Sequence, residues 1–313
     1  MWAYVVRRIV ATVPVMGVVA LFAFALIHLS PADPAALIAG EFATPDDIHR
    51  IRAKLGLNEP MPVQFYRWAS GIATGDLGVS VFSNLPVTRL IGQRIGPTVA
   101  LATVTIVLTL AFAIPIGVIA AWKAGSLVDR AVVSFAVMGF SVPVFVLGYA
   151  LAYVFAVVLG LLPVQGYVPL AKGFWPFLES LILPSVTLAI SYTALIARMT
   201  RASMIEVLSQ DYIRTARAKG LGTFQILMVH ALKAAGVPIA TTVGVGVGIL
   251  ISGVVVTESV FSIPGLGRLT VDAILHRDYP IIQAVILLFS GMYVLLNLVV
   301  DLTYTLLDPR IRY

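Results

Sequence analysis

The sequence predicts an all-α membrane protein with six spanning helices and a helical loop between the first two. Two observations carry this. Hydrophobic residues make up 59% of the 313-residue chain, and the 21 basic and 15 acidic residues together make up only 12%. Soluble domains carry roughly 25% charged residues, so this chain lacks the groups to cover a water-facing surface. Secondly, those charges are absent from six long stretches, 9–29, 98–122, 131–162, 180–197, 236–257 and 279–300. A soluble enzyme and a disordered chain are both excluded on this composition.

A helix rising 1.5 Å per residue needs about 20 apolar residues to cross a 30 Å hydrocarbon core. Five stretches meet that length, and 180–197 is just long enough. The third, 131–162, exceeds one perpendicular span, so part of it is expected to tilt or run into the outer interface. The first stretch follows Arg7 and Arg8, as in a signal peptide, but its 21 apolar residues exceed the roughly 7–15 of a cleaved signal. An uncleaved signal-anchor helix is expected. With no cysteine in the chain, disulfides and thiolate chemistry are excluded.

Orientation follows from basic residues in short loops. With a cytoplasmic N-terminus, 12 basic residues lie inside, half of them between spans four and five, and net charge is +7 inside and −1 outside. Both termini are therefore expected in the cytoplasm. The +6 net charge reflects topology and not nucleic-acid binding.

The loop of roughly residues 30–95 is the largest piece outside the bilayer. Thr44-Pro45-Asp46-Asp47 reads as a helix start, with Thr44 at the N-cap and Pro45 at the first helical position. Ile48, Ile51 and Leu55 form one apolar face, and Gly56 suits a left-handed C-terminal cap. Met61–Ile72 is a second amphipathic stretch, whose Phe65, Tyr66 and Trp68 favour the membrane boundary. Composition favours a loop that packs over helix ends above one that receives an external partner.

The inner loop, Arg198–Lys233, holds a second short helix. Ser209-Gln210-Asp211 can start it, Arg214, Arg217 and Lys219 complement its far end, and Gly220 can terminate it. At about ten residues it is too short to be stable alone, so it needs a surface. The anionic inner leaflet and a cytoplasmic protein suit it equally, the second because Thr215, Ala216 and Ala218 permit close approach.

Ionisable groups inside spans mark ion or proton routes, and here only His28 falls in one, near its end, where a structural role is expected. A secondary carrier driven by protons or sodium is disfavoured. No phosphate loop G-x-x-x-x-G-K-[ST], H-E-x-x-H or G-x-S-x-G occurs, so no ATPase, metalloprotease or hydrolase chemistry is visible. Small residues at Gly244, Gly248 and Ser252 form a stripe suited to helix packing, including packing on a second subunit. Pro115-Ile116-Gly117, Gly139-Phe140-Ser141-Val142-Pro143 and Pro184-Ser185 can kink spans two to four. Ser141, Ser191, Thr193 and Glu258, polar groups near span ends or kinks, are the candidates for a translocation path.

Several stretches in order along the chain resemble the membrane permease subunits of binding-protein-dependent ATP-binding-cassette importers, in the peptide and nickel group. They are Leu29-Ser30-Pro31-Ala32-Asp33-Pro34, Leu55-Gly56-Leu57, Gly75-Asp76-Leu77-Gly78-Val79-Ser80 and Asp211-Tyr212-Ile213-Arg214-Thr215-Ala216-Arg217-Ala218-Lys219-Gly220-Leu221. Glu258-Ser259-Val260-Phe261, Pro264-Gly265-Leu266-Gly267, Arg277-Asp278-Tyr279-Pro280 and Leu307-Asp308-Pro309-Arg310-Ile311-Arg312-Tyr313 complete the match. In the family's coupling segment, E-A-A is followed three residues later by Gly. Here Ala216 and Gly220 fit, Arg214 and Thr215 replace Glu and Ala, and His230-Ala231-Leu232-Lys233 replaces I-x-L-P.

The resemblance implies the type I permease fold in a bacterial inner membrane. It also implies a heterodimer with a related permease, two ATPase subunits that bind ATP and magnesium, and an external solute-binding protein. It tips the inner segment toward a protein surface, with Asp211, Arg214, Thr215, Ala216, Arg217, Lys219 and Gly220 as ATPase-coupling residues. This chain is then expected to bind no cofactor or metal and to catalyse nothing itself. A stand-alone carrier or channel is the alternative, and a non-transporting scaffold a third class. The solute stays open among dipeptides, longer peptides, glutathione-like compounds and nickel complexes.

Overall fold

The computed structural model describes residues 2–29, 35–36, 44–54 and 56–307. The motif at 30–34 and the C-terminal residues 308–313 lie outside the described residues, as does Leu55 of the apolar face expected for the first loop helix. Among the described residues the following helices carry the architecture. They are α1 (Trp2–Leu29), α2 (Pro45–Lys54), α3 (Met61–Ala73), α4 (Val87–Trp122), α5 (Leu127–Ser141) and α6 (Val144–Leu151), then α7 (Phe174–Leu208), α8 (Asp211–Ala218), α9 (Gly236–Val260), α10 (Leu266–Leu275) and α11 (Tyr279–Leu307). Among the described residues the extended structure is one isolated antiparallel bridge, Val79 to Pro86.

Among the described residues five helices are long and apolar enough to cross a membrane, within α1, α4, α7, α9 and α11, and a sixth span results if the bent pair Leu127–Ser141 and Val144–Val158 counts as one. That pair accounts for the over-long stretch 131–162, for part of which the sequence predicts a tilt or a run into the outer interface: the chain bends instead. Its two halves meet at 102°. The cause is local: Pro143 forces the residue before it out of the helical region, and Val142 sits at φ −89°, ψ 122°.

The chain divides into two compact units, Pro97–Gly267 with the stretch from Leu295, and Trp2–Gly96 with Arg268–Val294. In the first, α7 is the central helix. Its apolar window is 72% buried, against 33% for α9, so α7 meets protein on most sides while α9 keeps a flank that this chain leaves uncovered. Its 35 residues span about 52 Å at 1.5 Å per residue, longer than the hydrocarbon core. Gly246 of α9 shows how close the packing is. A Cβ there would stand 1.9 Å from the Tyr192 ring of α7, and the Tyr192 hydroxyl donates to the Val243 carbonyl (2.6 Å). The approach to α7 is thus at Gly246, whereas of the expected stripe Gly244 packs closely on Val300 of α11 and Ser252 is exposed.

An ion pair ties α5 to α7. Asp129, 4% exposed, accepts two hydrogen bonds from the Arg201 guanidinium, Nη2 to Oδ2 at 2.7 Å, and one from the Gly125 N–H (2.9 Å). Asp129 stands in the first turn of α5 and Arg201 near the end of α7, which is longer than the hydrocarbon core, so the pair lies at the ends of these helices, beyond the uncharged stretches 131–162 and 180–197. The Arg201 hydrogen bonds, followed by that of Gly125, hold the carboxyl at about 2, below its ordinary 3.8.

In the second unit, α3 lies against α1 through a ring cluster: Phe24 meets Phe65 edge-on at 5.4 Å and Trp68 at 5.7 Å. Helix α2 starts as the sequence predicts, with the Ile48 N–H bonded to the Thr44 carbonyl, and the turn after it places Gly56 at φ +68°. Asp278 joins two distant motifs. Its buried carboxylate accepts from the Ser80 hydroxyl and from the backbone N–H groups of Val81 and Phe82 (3.3 Å each).

Replacing Asp129 by Asn leaves Arg201 without its counter-charge. It is expected to cost about 1–3 kcal/mol, the range for losing a charged hydrogen-bond partner. Because the folded carboxyl is depressed, the pair's contribution is complete above pH 4 and fades as pH falls toward 2. The gap in melting temperature between wild type and D129N in detergent should therefore stay constant from pH 5 to 8. No gap at all would show the pair to be idle.

Candidate functional site

The inner segment is built onto the end of α7. After Leu208 the chain turns through Ser209 and Gln210 and starts α8 with Asp211 in its first turn. The turn that ends α8 is a Schellman motif. Gly220 sits at φ +79°, its N–H donates to the Arg217 carbonyl (2.9 Å), and the Leu221 N–H reaches the Ala216 carbonyl (3.3 Å). A non-glycine residue at 220 would strain this turn.

Ile213 supplies the docking that so short a helix requires. It is fully buried among Met204, Ile226, Leu227 and Ala231, with Ala216 and Leu221 packed against the same cluster. The other expected coupling residues, Asp211, Arg214, Thr215, Arg217, Lys219 and Gly220, are all exposed. Arg214 meets Asp211 at 3.4 Å, but with both side chains largely in solvent the pair contributes under about 1 kcal/mol. Tyr212 is 48% exposed, as is Phe224 beyond the turn at 77%. The sequence reading did not single out these two rings, although aromatic residues beside arginines are the composition of a protein-binding surface.

The four path candidates do not form one cluster. Ser141 is exposed at the end of α5 and donates to the Val137 carbonyl (2.9 Å), one residue before the bend. Ser191 borders a cavity of about 50 Å³ with Phe140, Ile249 and Gly253, and its hydroxyl is buried without a hydrogen-bond partner among the described residues. Thr193 borders a different cavity, about 250 Å³, with Phe112 and Phe135. Two residues apart on a helix, Ser191 and Thr193 point about 200° apart, which is why they part company.

Glu258 is wholly buried. The Thr98 hydroxyl donates to its Oε1 (2.6 Å) and accepts from the Leu266 N–H (2.8 Å), so the carboxylate braces the start of α10 through a hydroxyl relay. Gly265 makes room for it: a Cβ at that position would lie 2.1 Å from Oε1. In this conformation Glu258 presents no surface to a solute. Sequence alone shows an acid at a span end. The partner that internalises it stands 160 residues away. Among the described residues no three His, Asp or Glu side chains are arranged to hold a metal ion.

Residues 113–313 match the family described as the binding-protein-dependent transport system inner membrane component, and residues 1–103 match the N-terminal component of the same systems. The chain belongs to this family. It is 55% identical over its full length, and that of the relative, to a probable peptide ABC transporter permease of Sinorhizobium fredii. It is 43% identical to a glutathione transport system permease of Escherichia coli K12, with 99% of each chain covered. The fold is that of the membrane subunit in inward-facing structures of the MetNI methionine ABC transporter, with a TM-score of 0.59 over 70% of this chain and 96% of that one at 18% identity.

The chain is therefore the membrane-spanning permease subunit of a binding-protein-dependent ABC importer, a multi-pass inner-membrane protein and not a stand-alone carrier. Systems of this family draw on ATPase and solute-binding partners.

The buried carboxylate yields a sharp expectation for this subunit. Gly265→Ala forces a methyl group into Glu258, an overpacking that costs about 1–3 kcal/mol or more. It should lower the melting temperature by several degrees, while Ser259→Ala, at an exposed site, leaves it unchanged. Equal stability of both variants would contradict the brace.

Proposed function

We propose that this subunit is one half of a heterodimeric channel importing short peptides or glutathione-like solutes, and that α8 docks into a cytoplasmic ATPase. The observation that carries the docking is the two-sided character of α8. Ile213 pins one side to the subunit's own core, while Tyr212, Arg214, Arg217 and Lys219 are exposed among the described residues. A lipid surface would satisfy the cations. A protein groove satisfies the cations and the exposed rings together, and the family's dependence on an ATPase supports it.

In this reading ATP and magnesium are bound by two partner subunits. Their closure pushes on α8, and the push passes through Ile213 and the end of α7 into the helix bundle. The two permease halves then rock between inward- and outward-facing forms. Both termini, α8 and the Asp129–Arg201 pair lie on the cytoplasmic side, as the distribution of basic residues supports. The path runs along the flank that carries Ser141 and Ser191. Its walls are weakly polar, in keeping with varied cargo that must be released as readily as it enters. The peptide and glutathione permeases among the relatives support that cargo.

Two variants test the docking. Ala218→Trp adds bulk to the exposed face without touching the Ile213 anchor, and Gly220→Pro breaks the closing turn, since proline cannot adopt φ +79°. Each should reduce the ATPase recovered with the purified permease at least tenfold, about 1.4 kcal/mol of docking free energy, and abolish ATP-driven peptide uptake in proteoliposomes. Full recovery and undiminished uptake in both would remove α8 from the coupling role.

A further inference from the structure

Three of the motifs that single out this sequence serve neither the coupling helix nor the path. They lie at 56–57, 76–78 and 277–280, and the fold brings them together around one cavity of about 290 Å³ inside the unit Trp2–Gly96 with Arg268–Val294. The cavity is walled by the last turn of α1, by α3 and by the start of α11.

Its lining has two characters. Phe24, Ile27 and Trp68 make an apolar wall. Arg277 and Asp76 bring opposite charges to the same space. Arg67 also borders it but is already engaged by Glu59 at 2.8 Å, whereas Arg277 forms no ion pair among the described residues. Arg277 also sits at φ +54°, a conformation that glycine or asparagine adopts more readily. An arginine kept there against backbone preference points to use of its side chain. His28, on the same wall, has its Nε2 buried without a hydrogen-bond partner among the described residues.

The position of the cavity narrows the occupant. The spans that flank it, within α1 and α11, each have only 6% of their apolar window buried within this chain, so much of their apolar surface is left partly uncovered for lipid or a partner. The cavity lies where α1 ends and α11 begins, at the depth of the headgroups, and Trp68 and Tyr279 beside it are residues of that boundary. An apolar wall continuous with such uncovered helix flanks suits an acyl chain. A guanidinium suits a phosphate, and a carboxylate beside it suits an ammonium.

We propose that this cavity holds the headgroup of a zwitterionic phospholipid, its phosphate against Arg277, its amine toward Asp76 and the root of its chain along Phe24, Ile27 and Trp68. The lipid acts as a bound structural ligand of the importer and not as cargo.

The test is native mass spectrometry of the importer purified with its partner subunits, after detergent stripping and equilibration with equal amounts of phosphatidylethanolamine and phosphatidylglycerol. Wild type should retain one phosphatidylethanolamine per permease subunit at several-fold preference. Arg277→Asn, which keeps a residue at ease in the left-handed region, should lose the retained lipid. Gly71→Leu, which fills the cavity from α3 and whose Cβ meets only the Asp76 carbonyl at 3.5 Å, should lose it as well. Asp76→Asn should keep the lipid and lose the preference.

Recovery of the ATPase partners with each variant shows that assembly is intact. Equal retention of both lipids by wild type, retention unchanged by Arg277→Asn and Gly71→Leu, or displacement of the lipid by soluble peptide or glycerophosphoethanolamine would each overturn the proposal.

Discussion

In hydrocarbon there is no water to hydrogen-bond a bare N–H or C=O, so each spanning segment must satisfy its backbone within its own helix. The rest of this structure is a consequence of that constraint. It makes every span a helix, and it leaves side chains alone to hold the helices together. Helix α7 is the clearest result. Buried on most sides, it runs past the bilayer's thickness without interruption, and its end carries the short helix α8. Helix α8 is thereby packed onto the most deeply buried helix of its unit, with Ile213 as its fully buried anchor.

With so few charges, those that are buried are used with economy. Asp129 with Arg201, Glu258 with Thr98 and Asp278 with Ser80 each join elements far apart in sequence. Asp129 and Asp278 each accept several donors and Glu258 accepts the Thr98 hydroxyl, which offsets the desolvation that burying a carboxylate would otherwise cost. Two of these acids, Glu258 and Asp278, belong to stretches that also carry the family resemblance. Their work in the fold is bracing: the first orders the start of α10, and the second orders the loop over Ser80–Phe82.

Much of the helical plan was legible before any coordinates. The uncharged stretches found the spans, because a membrane tolerates few charges and needs a minimum length. The caps found α2 and α8, because Thr44, Pro45 and Gly220 each suit one position of a helix end. The bend at Pro143 lay in plain view as a proline. Its angle did not, since a proline fixes its own φ and restrains its neighbour while packing sets the direction of the next helix. The path candidates fared unevenly for a related reason. Polarity near a span end marks a residue as unusual, but which neighbours enclose it is a long-range property, and Ser191 and Thr193 meet different ones.

The sequence by itself determined that this protein crosses the membrane several times, that its basic residues are densest in the one segment 198–233, and that a helix in this segment ends in a glycine turn. Composition, length and local backbone preference fix such features within a few residues of chain. Only the tertiary structure decided that Glu258 is walled in by Thr98 and Gly265, that α9 approaches α7 at Gly246, and that residues 56–57, 76–78 and 277–280 enclose one cavity. Those outcomes depend on which side chains meet across helices, and contacts between positions distant in the chain leave no mark on hydrophobic periodicity.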